Sequence, residues 1–280
     1  HPPLGHRGEE VLKKLMYNLG DFNHNEQTIR IVTFLERKYY NFEGLNLTFE
    51  TLEGLAKHNG PYLDEKKIPF SILEVNKYFP LELSNYPSVE GQVANISDDI
   101  AYLTHDFDDG LREKLFSISQ LREIEIVDVI IMKIKKQFPD IKMEILIQQF
   151  IRHLISYFIN DIVSTSQLII NQNNFKSVDA VRNFNGYVVK LSPIAFKNME
   201  EIRKFLFKNM YHNKSILDKL TKASLMIEKM FSLYYRDINL LPEQWRCLRG
   251  VSLSKLSKVN KARVIVDYIS GMTDVFLKKE

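Results

Sequence analysis

Cysteine is nearly missing from this chain of 280 residues: Cys247 stands alone, so no disulfide can close within it. An excess of one charge is missing too. Lys and Arg total 38 against 35 Asp and Glu, and the net +3 is too small to mark a nucleic-acid surface. No apolar run reaches the length of a membrane span; even Ile126–Met132 is interrupted by Asp128 and flanked by charge. Gly-rich phosphate loops, paired-cysteine zinc motifs, serine-nucleophile motifs, repeats and low-complexity tracts do not occur, and no charged-then-apolar leader opens the sequence. What remains is a globular composition, 45% hydrophobic and 26% charged, with enough chain for a large core.

What is present is helical periodicity, and the class it predicts is all-α. Helices are expected over Glu9–Leu19, Asn25–Tyr39, Thr48–Lys57 with Thr48 capping its start, Ser88–Asp108, Ile124–Phe138, Glu144–Asn171, Met199–Met210, Ser215–Tyr235 and Lys261–Leu277. The Glu144–Asn171 pattern predicts burial on a wide face. Pro61–Pro69 reads as a surface loop, Gln172–Asn185 as irregular, and Gly186–Leu191 as a short strand or hairpin. A break near Pro139 or around Gln172 would set off a C-terminal helical region; taken at Pro139, it separates residues 1–139 from 140–280.

Three segments carry chemistry. The first is His1-Pro2-Pro3-Leu4-Gly5-His6-Arg7-Gly8-Glu9-Glu10, in which two histidines sit on a tight loop leading into a helix. The second is Phe22-Asn23-His24-Asn25-Glu26-Gln27, and the third runs from Glu90 to Arg112 through Asp98, Tyr102, His105, Asp106 and Asp109. Asp98 and Tyr102 are four apart and share a helix face, with His105 and Asp106 a turn further on. A cavity wall and a solvated acidic face with a buried tyrosine fit that stripe equally. For His24, a helix-start residue bonding to its own backbone is the plain alternative.

Together these segments resemble the deoxyguanosine-triphosphate triphosphohydrolase-like family of HD-domain proteins. Further matching stretches are Gly44-Leu45-Asn46-Leu47-Thr48, Thr51-Leu52-Glu53-Gly54-Leu55, Lys57-His58-Asn59-Gly60-Pro61, Leu241-Pro242-Glu243-Gln244-Trp245-Arg246 and Asp267-Tyr268-Ile269-Ser270-Gly271-Met272-Thr273-Asp274. The resemblance implies an HD-domain helical core and hydrolysis of deoxynucleoside triphosphates to deoxynucleoside and inorganic triphosphate. It implies a divalent metal (Mn, Mg, Fe or Zn), with Asp98 as its last protein ligand. The His-Asp pair and the first His of the family motif would fall before His1, so Asp98 by itself is not expected to hold the ion tightly. His1 and His6 match residues facing the substrate phosphates. His24 and Glu9 match a catalytic histidine and the carboxylate that orients it, with His6 assisting. Gln27 belongs to the same motif as a substrate contact, and Tyr102 and Asp106 match positions on the deoxyribose and phosphates. A homo-oligomer, a nucleotide effector and cytoplasmic residence are further implications; membrane and nucleic-acid partners are not expected. The rival is a non-catalytic nucleotide-binding or oligomer-scaffold protein of HD type, and a third option is a metal phosphodiesterase acting on another nucleotide.

Other residues read more plainly. His58 ends a helix, where its charge suits the dipole. His105 neighbours the carboxylates, and His153 belongs to an apolar helix. Tyr211-His212 with Lys214 fits a phosphate or effector contact and a solvated helix end equally. Lys255, Lys258, Lys261 and Arg263 read as a solvated basic face, and Val275 stands where the family has a basic residue.

Overall fold

Side-chain caps mark where this chain turns into helix. A computed structural model describes residues 2–248, 251–252 and 255–280. In chain order the helices are α1 (Gly5–Met16), α2 (His24–Arg30), α3 (Phe49–Ala56), α4 (Phe70–Tyr78), α5 (Val89–Arg112), α6 (Ile118–Leu121), α7 (Glu125–Gln137), α8 (Met143–Asn173), α9 (Val178–Arg182), α10 (Pro193–Leu206), α11 (Lys214–Arg236), α12 (Lys258–Ser270) and α13 (Asp274–Lys279). Asn23, Ser88, Ser177, Ser192, Ser257 and Thr273 each accept a backbone N–H in the first turn that follows them. Ser117 and Gln120 form a reciprocal capping box on α6. Among the described residues the extended pairing is one two-residue antiparallel ladder, β1 (Cys247–Leu248) with β2 (Val251–Ser252). The class is all-α, as the periodicity implies.

The chain folds into two compact units whose sequences interleave. One comprises His1–Ala56, Asp64–Leu81 and Leu217–Glu280; the other comprises Lys57–Leu63 and Glu82–Ile216. These units follow boundaries other than the expected division at residue 139, because α7 and α8, on either side of Pro139, pack on one another.

In the first unit, Val11, Leu12 and Met16 of α1 share a core with Ile227, Met230 and Phe231 of α11, Ile265 and Ile269 of α12, and Leu277 of α13. Helix α12 is buried without a break from Val264 to Ser270, so it is the central element of this unit rather than a surface helix. Helix α2 packs on α3 and α4.

In the second unit, α5, α7, α8 and α10 close around Phe107, Ile131, Phe150, Leu154, Phe158, Met199 and Ile202. Each such side chain contributes about 1.5–3 kcal/mol on leaving water. Gly110 permits one of the tighter contacts: a Cβ there would meet the Phe116 ring at 2.3 Å. The wide buried face expected of α8 is instead a stripe at every fourth position, Leu146, Phe150, Leu154, Phe158 and Ile162, while Ile145, Ile159, Val163 and Leu168 remain exposed.

Four other expectations are corrected. The helix from Asn25 ends early: α2 widens into a π-turn over Ile31–Leu35 and the chain is extended at Glu36. Thr28 and Thr33 donate back to the carbonyls of His24 and Ile29, and β-branched residues crowd the segment, which favours such a distortion. Gly186–Leu191 forms no strand. The buried Gln92 side chain accepts from the N–H groups of Val188 and Val189, doing the work of a partner strand. The last expected helix breaks at Gly271–Thr273, where Thr273 caps α13 afresh. The fourth is Gln172–Asn185, expected to be irregular: Ser177 caps the short helix α9 inside it.

Candidate functional site

A buried carboxylate anchors the first cluster. Glu9 is 4% exposed on α1, and both of its oxygens lie 3.0 Å from Nδ1 of His24. Lys13, one turn along α1, places Nζ 2.8 Å from the same carboxylate, and His6 Nδ1 lies 3.8 Å away. Burial pushes the Glu9 carboxyl up, but the hydrogen bonds and charges of His24 and Lys13 outweigh it, and the group is lowered to about 2. It is therefore an ionised acceptor at neutral pH, and it fixes which imidazole nitrogen it holds.

His24 meets Glu9 while Asn23, not His24, caps α2: Asn23 Oδ1 accepts from Asn25 and Glu26 N–H. The plain alternative for His24 is thus not what the structure shows. Gln27 lies one turn beyond His24 on the same face of α2. It is 4% exposed, and among the described residues neither its amide oxygen nor its amide nitrogen has a hydrogen-bond partner. Glu26 faces elsewhere. Its carboxylate accepts from the N–H and hydroxyl of Ser71, at 3.0 and 2.8 Å, and approaches Arg263 at 3.5 Å. His1 lies outside the described residues.

The second cluster lines up along α5, in the other unit. Asp98, Tyr102 and Asp106 follow at intervals of four. Tyr211, in the wide turn after α10, donates its hydroxyl proton to Asp106 and also interacts with Tyr102. Burial raises the Tyr102 and Tyr211 phenols, and the Asp106 charge raises them further. Tyr211 was the residue whose role the sequence left open; its phenol, 105 positions from Asp106, had no local signal. His212 turns away and bonds to the Phe207 carbonyl at 2.9 Å. On the next face of α5, Arg203 bridges Asp99 at 3.0 Å and Glu200 at 2.8 Å.

Asp98 is exposed, and its ionic partner is the Nε2 of His58 at 3.5 Å. His58 therefore meets a candidate metal ligand as well as following a helix. One carboxylate and one imidazole are fewer donors than a divalent ion requires, and among the described residues no group of three or more His, Cys, Asp or Glu gathers to hold one. The described residues alone do not make a metal site. His105 is exposed and His153 is half-buried.

A separate cleft of about 530 Å³ in the first unit is lined by Arg30, Phe34, Phe70, Ser71, Tyr78 and Arg263, among others; none of the predicted site residues lines it. Arg263 departs from the expected solvated basic face. Its side chain is 12% exposed and donates to the carbonyls of Gly20 and Asp21.

In this all-α frame a buried carboxylate on α1 thus holds the first histidine of α2. Residues 189–280 match the Phosphohydrolase-associated domain. Deoxyguanosinetriphosphate triphosphohydrolase-like proteins of Bartonella quintana (strain Toulouse), Rickettsia rickettsii (strain Iowa) and Cereibacter sphaeroides (strain ATCC 17025) are 37%, 38% and 38% identical to this chain. Each match covers 100% of this chain, and 70%, 71% and 73% of the respective relative. The chain belongs to the deoxyguanosinetriphosphate triphosphohydrolase-like family of HD-domain proteins. Among the described residues no helix is long and apolar enough to cross a membrane.

Proposed function

We propose that this chain forms the larger part of a metal-dependent hydrolase that converts a deoxynucleoside triphosphate and water into the deoxynucleoside and inorganic triphosphate. The observation that carries the reading is the contact between Glu9 and His24. With Nδ1–H donated to a carboxylate, proton exchange falls to Nε2, and Glu9 offsets the positive charge when Nε2 carries a proton. In the proposed reaction water adds to the α-phosphorus, the bond from that phosphorus to the 5′-oxygen breaks, protonated His24 delivers a proton to the departing oxygen, and the proton released by the attacking water passes to solvent, from which His24 is reprotonated. His6, at the opening of α1, and His1 before it, donate to the phosphate oxygens. Gln27 brings a buried amide with donor and acceptor both available for substrate.

Tyr102 packs against the sugar, where a 2′-hydroxyl would clash, and Asp106, held by Tyr211, accepts from the 3′-hydroxyl. Asp98 would give one ligand to a divalent ion, whose chemistry is to polarise a phosphate oxygen and acidify water. The described residues do not complete its coordination, and no step here depends on it. A homo-oligomeric state, a nucleotide effector and cytoplasmic residence belong to the same proposal.

The test is a product analysis on the full-length protein, supplied with Mn and each deoxynucleoside triphosphate. Equal release of deoxynucleoside and intact triphosphate is expected. Release of pyrophosphate or single phosphates instead would point to another phosphoester hydrolase. Tight nucleotide binding without turnover under any metal would favour the non-catalytic binder.

A further inference from the structure

The geometry points to Asp274 as a positioning residue that holds the loop leading into α1, on whose first turn His6 lies, through a backbone hydrogen bond. The functional meaning of that hold rests on the reading of His6 above; the hold itself does not. The N–H of Leu4 donates to Asp274 Oδ1 at 2.9 Å, across 270 positions of sequence. Pro2 and Pro3 have no amide hydrogen, so the N–H of Leu4 is the first that the described part of the loop can offer.

Leu4 also needs holding. Its φ of 65° and ψ of 18° lie in the left-handed region, and Gly5 follows at φ 55°. A non-glycine residue there costs about 1–2 kcal/mol, so an isolated Pro2–Gly5 segment would relax to another conformation. Nor does a side chain cap the start of α1. On the other side of His6, the loop is folded back so tightly that a Cβ on Gly8 would come within 1.8 Å of the Pro3 carbonyl oxygen. His6 thus lies midway between two pins, two residues after Leu4 and two before Gly8. Its imidazole lies 3.8 Å from Glu9, one turn along α1.

Asp274 is itself well founded. It opens α13, whose start Thr273 caps by accepting from Phe276 at 3.2 Å, and whose Leu277 is buried in the same core as Val11 and Leu12 of α1. The carboxylate therefore cannot drift relative to α1 without disturbing that core. Asp274 lies inside the segment matching the Phosphohydrolase-associated domain. In this reading, that segment acts on the candidate chemistry by fixing where a phosphate-facing histidine stands.

The experiment compares Asp274→Ala and Asp274→Asn with the wild type, all as full-length protein. Asn keeps an oxygen acceptor and drops only the charge. Amide hydrogen exchange over Leu4–Met16 reads the hold directly, thermal midpoints check the fold, and kcat and KM for deoxynucleoside triphosphates read its consequence. Asp274→Ala is expected to speed exchange at Leu4–His6 about fivefold to tenfold, the loss of one hydrogen bond. It should lower kcat about tenfold with KM within twofold, as for a displaced catalytic group. Asp274→Asn should restore most of both. Unchanged exchange in Asp274→Ala overturns the proposal, as does an Asn variant as impaired as Ala. In an active wild type, so would an unaltered kcat in Asp274→Ala. A wild type that releases no triphosphate defeats the reaction assigned above, and the exchange data then still decide whether Asp274 holds the loop.

Discussion

Arg30 and Asp267 lie 237 positions apart and meet in a two-pronged buried ion pair: Nε is 2.9 Å from Oδ1, and Nη2 bonds to Oδ2. The side chains are 15% and 1% exposed. Burial works against the Arg30 charge, yet Asp267 more than compensates and holds the guanidinium more firmly protonated than usual. The pair joins α2, which carries His24, to the central α12. Removing one partner leaves the other charge buried without its two-pronged counter-ion, so Arg30→Ala or Asp267→Ala should each destabilise by about 3 kcal/mol. The double variant Arg30→Ala with Asp267→Ala should cost clearly less than the sum. Urea unfolding of the three variants completes the cycle; strictly additive losses would show that the charges do not depend on one another.

Glu9 and His24 give a second expectation, this time in pH. The Glu9 carboxyl lies at about 2 in the folded chain against an ordinary 4.5. Its folded value is depressed, so its contribution is fully present above the ordinary value and is lost as pH falls from 4.5 towards 2. The wild type should lose more stability over that window than Glu9→Gln, measured by urea midpoints at successive pH values. Parallel curves would mean that the carboxylate is not held as described. On the proposed reaction, His24→Ala should lower kcat by about 10²–10⁴.

Tyr211 and Tyr102 separate two roles around one carboxylate. Both phenols are raised, so neither ionises near neutral pH, and Tyr211 remains the proton donor to Asp106. Tyr211→Phe should weaken kcat/KM for a deoxynucleotide by about tenfold, the worth of a hydrogen bond to a charged group. Tyr102→Ala should instead narrow the preference for deoxy over ribo substrate by about 10–200-fold. The ratio of kcat/KM for matched deoxy and ribo triphosphates distinguishes them. A ratio untouched by Tyr102→Ala would remove the tyrosine from sugar selection.

Packing in the second unit offers a test free of any assumed reaction. Gly110→Ala would set a methyl group 2.3 Å from the Phe116 ring, on a helix whose core is already closed. It should cost about 1–3 kcal/mol through overpacking, although alanine is the better helix former. If Phe116→Leu in the same background recovers part of the loss, the ring is the cause. Chemical denaturation of the single and double variants measures it.

Much of this molecule was written locally. Helical spacing marks α5, α7, α8 and α11 within a few residues of their ends, because periodicity acts locally, whereas α6 was not expected and α10 starts six residues before the expected Met199. Asp98, Tyr102 and Asp106 share a face of α5 for the same reason. The sequence by itself also determined the family, and the resemblance to that family nominated Glu9 with His24.

Tertiary structure decided what each of those residues touches. It put Tyr211 on Asp106, His58 on Asp98 and Asp274 on Leu4, and it moved Arg263 from a supposed solvated face to a buried one. It let the Gln92 side chain replace a strand at Val188–Val189, and broke the last helix at Gly271–Thr273. Most of these outcomes turn on where a polar group finds its partner. Such partners lie up to 270 positions away, beyond the reach of any local pattern, and only the packed chain selects among them.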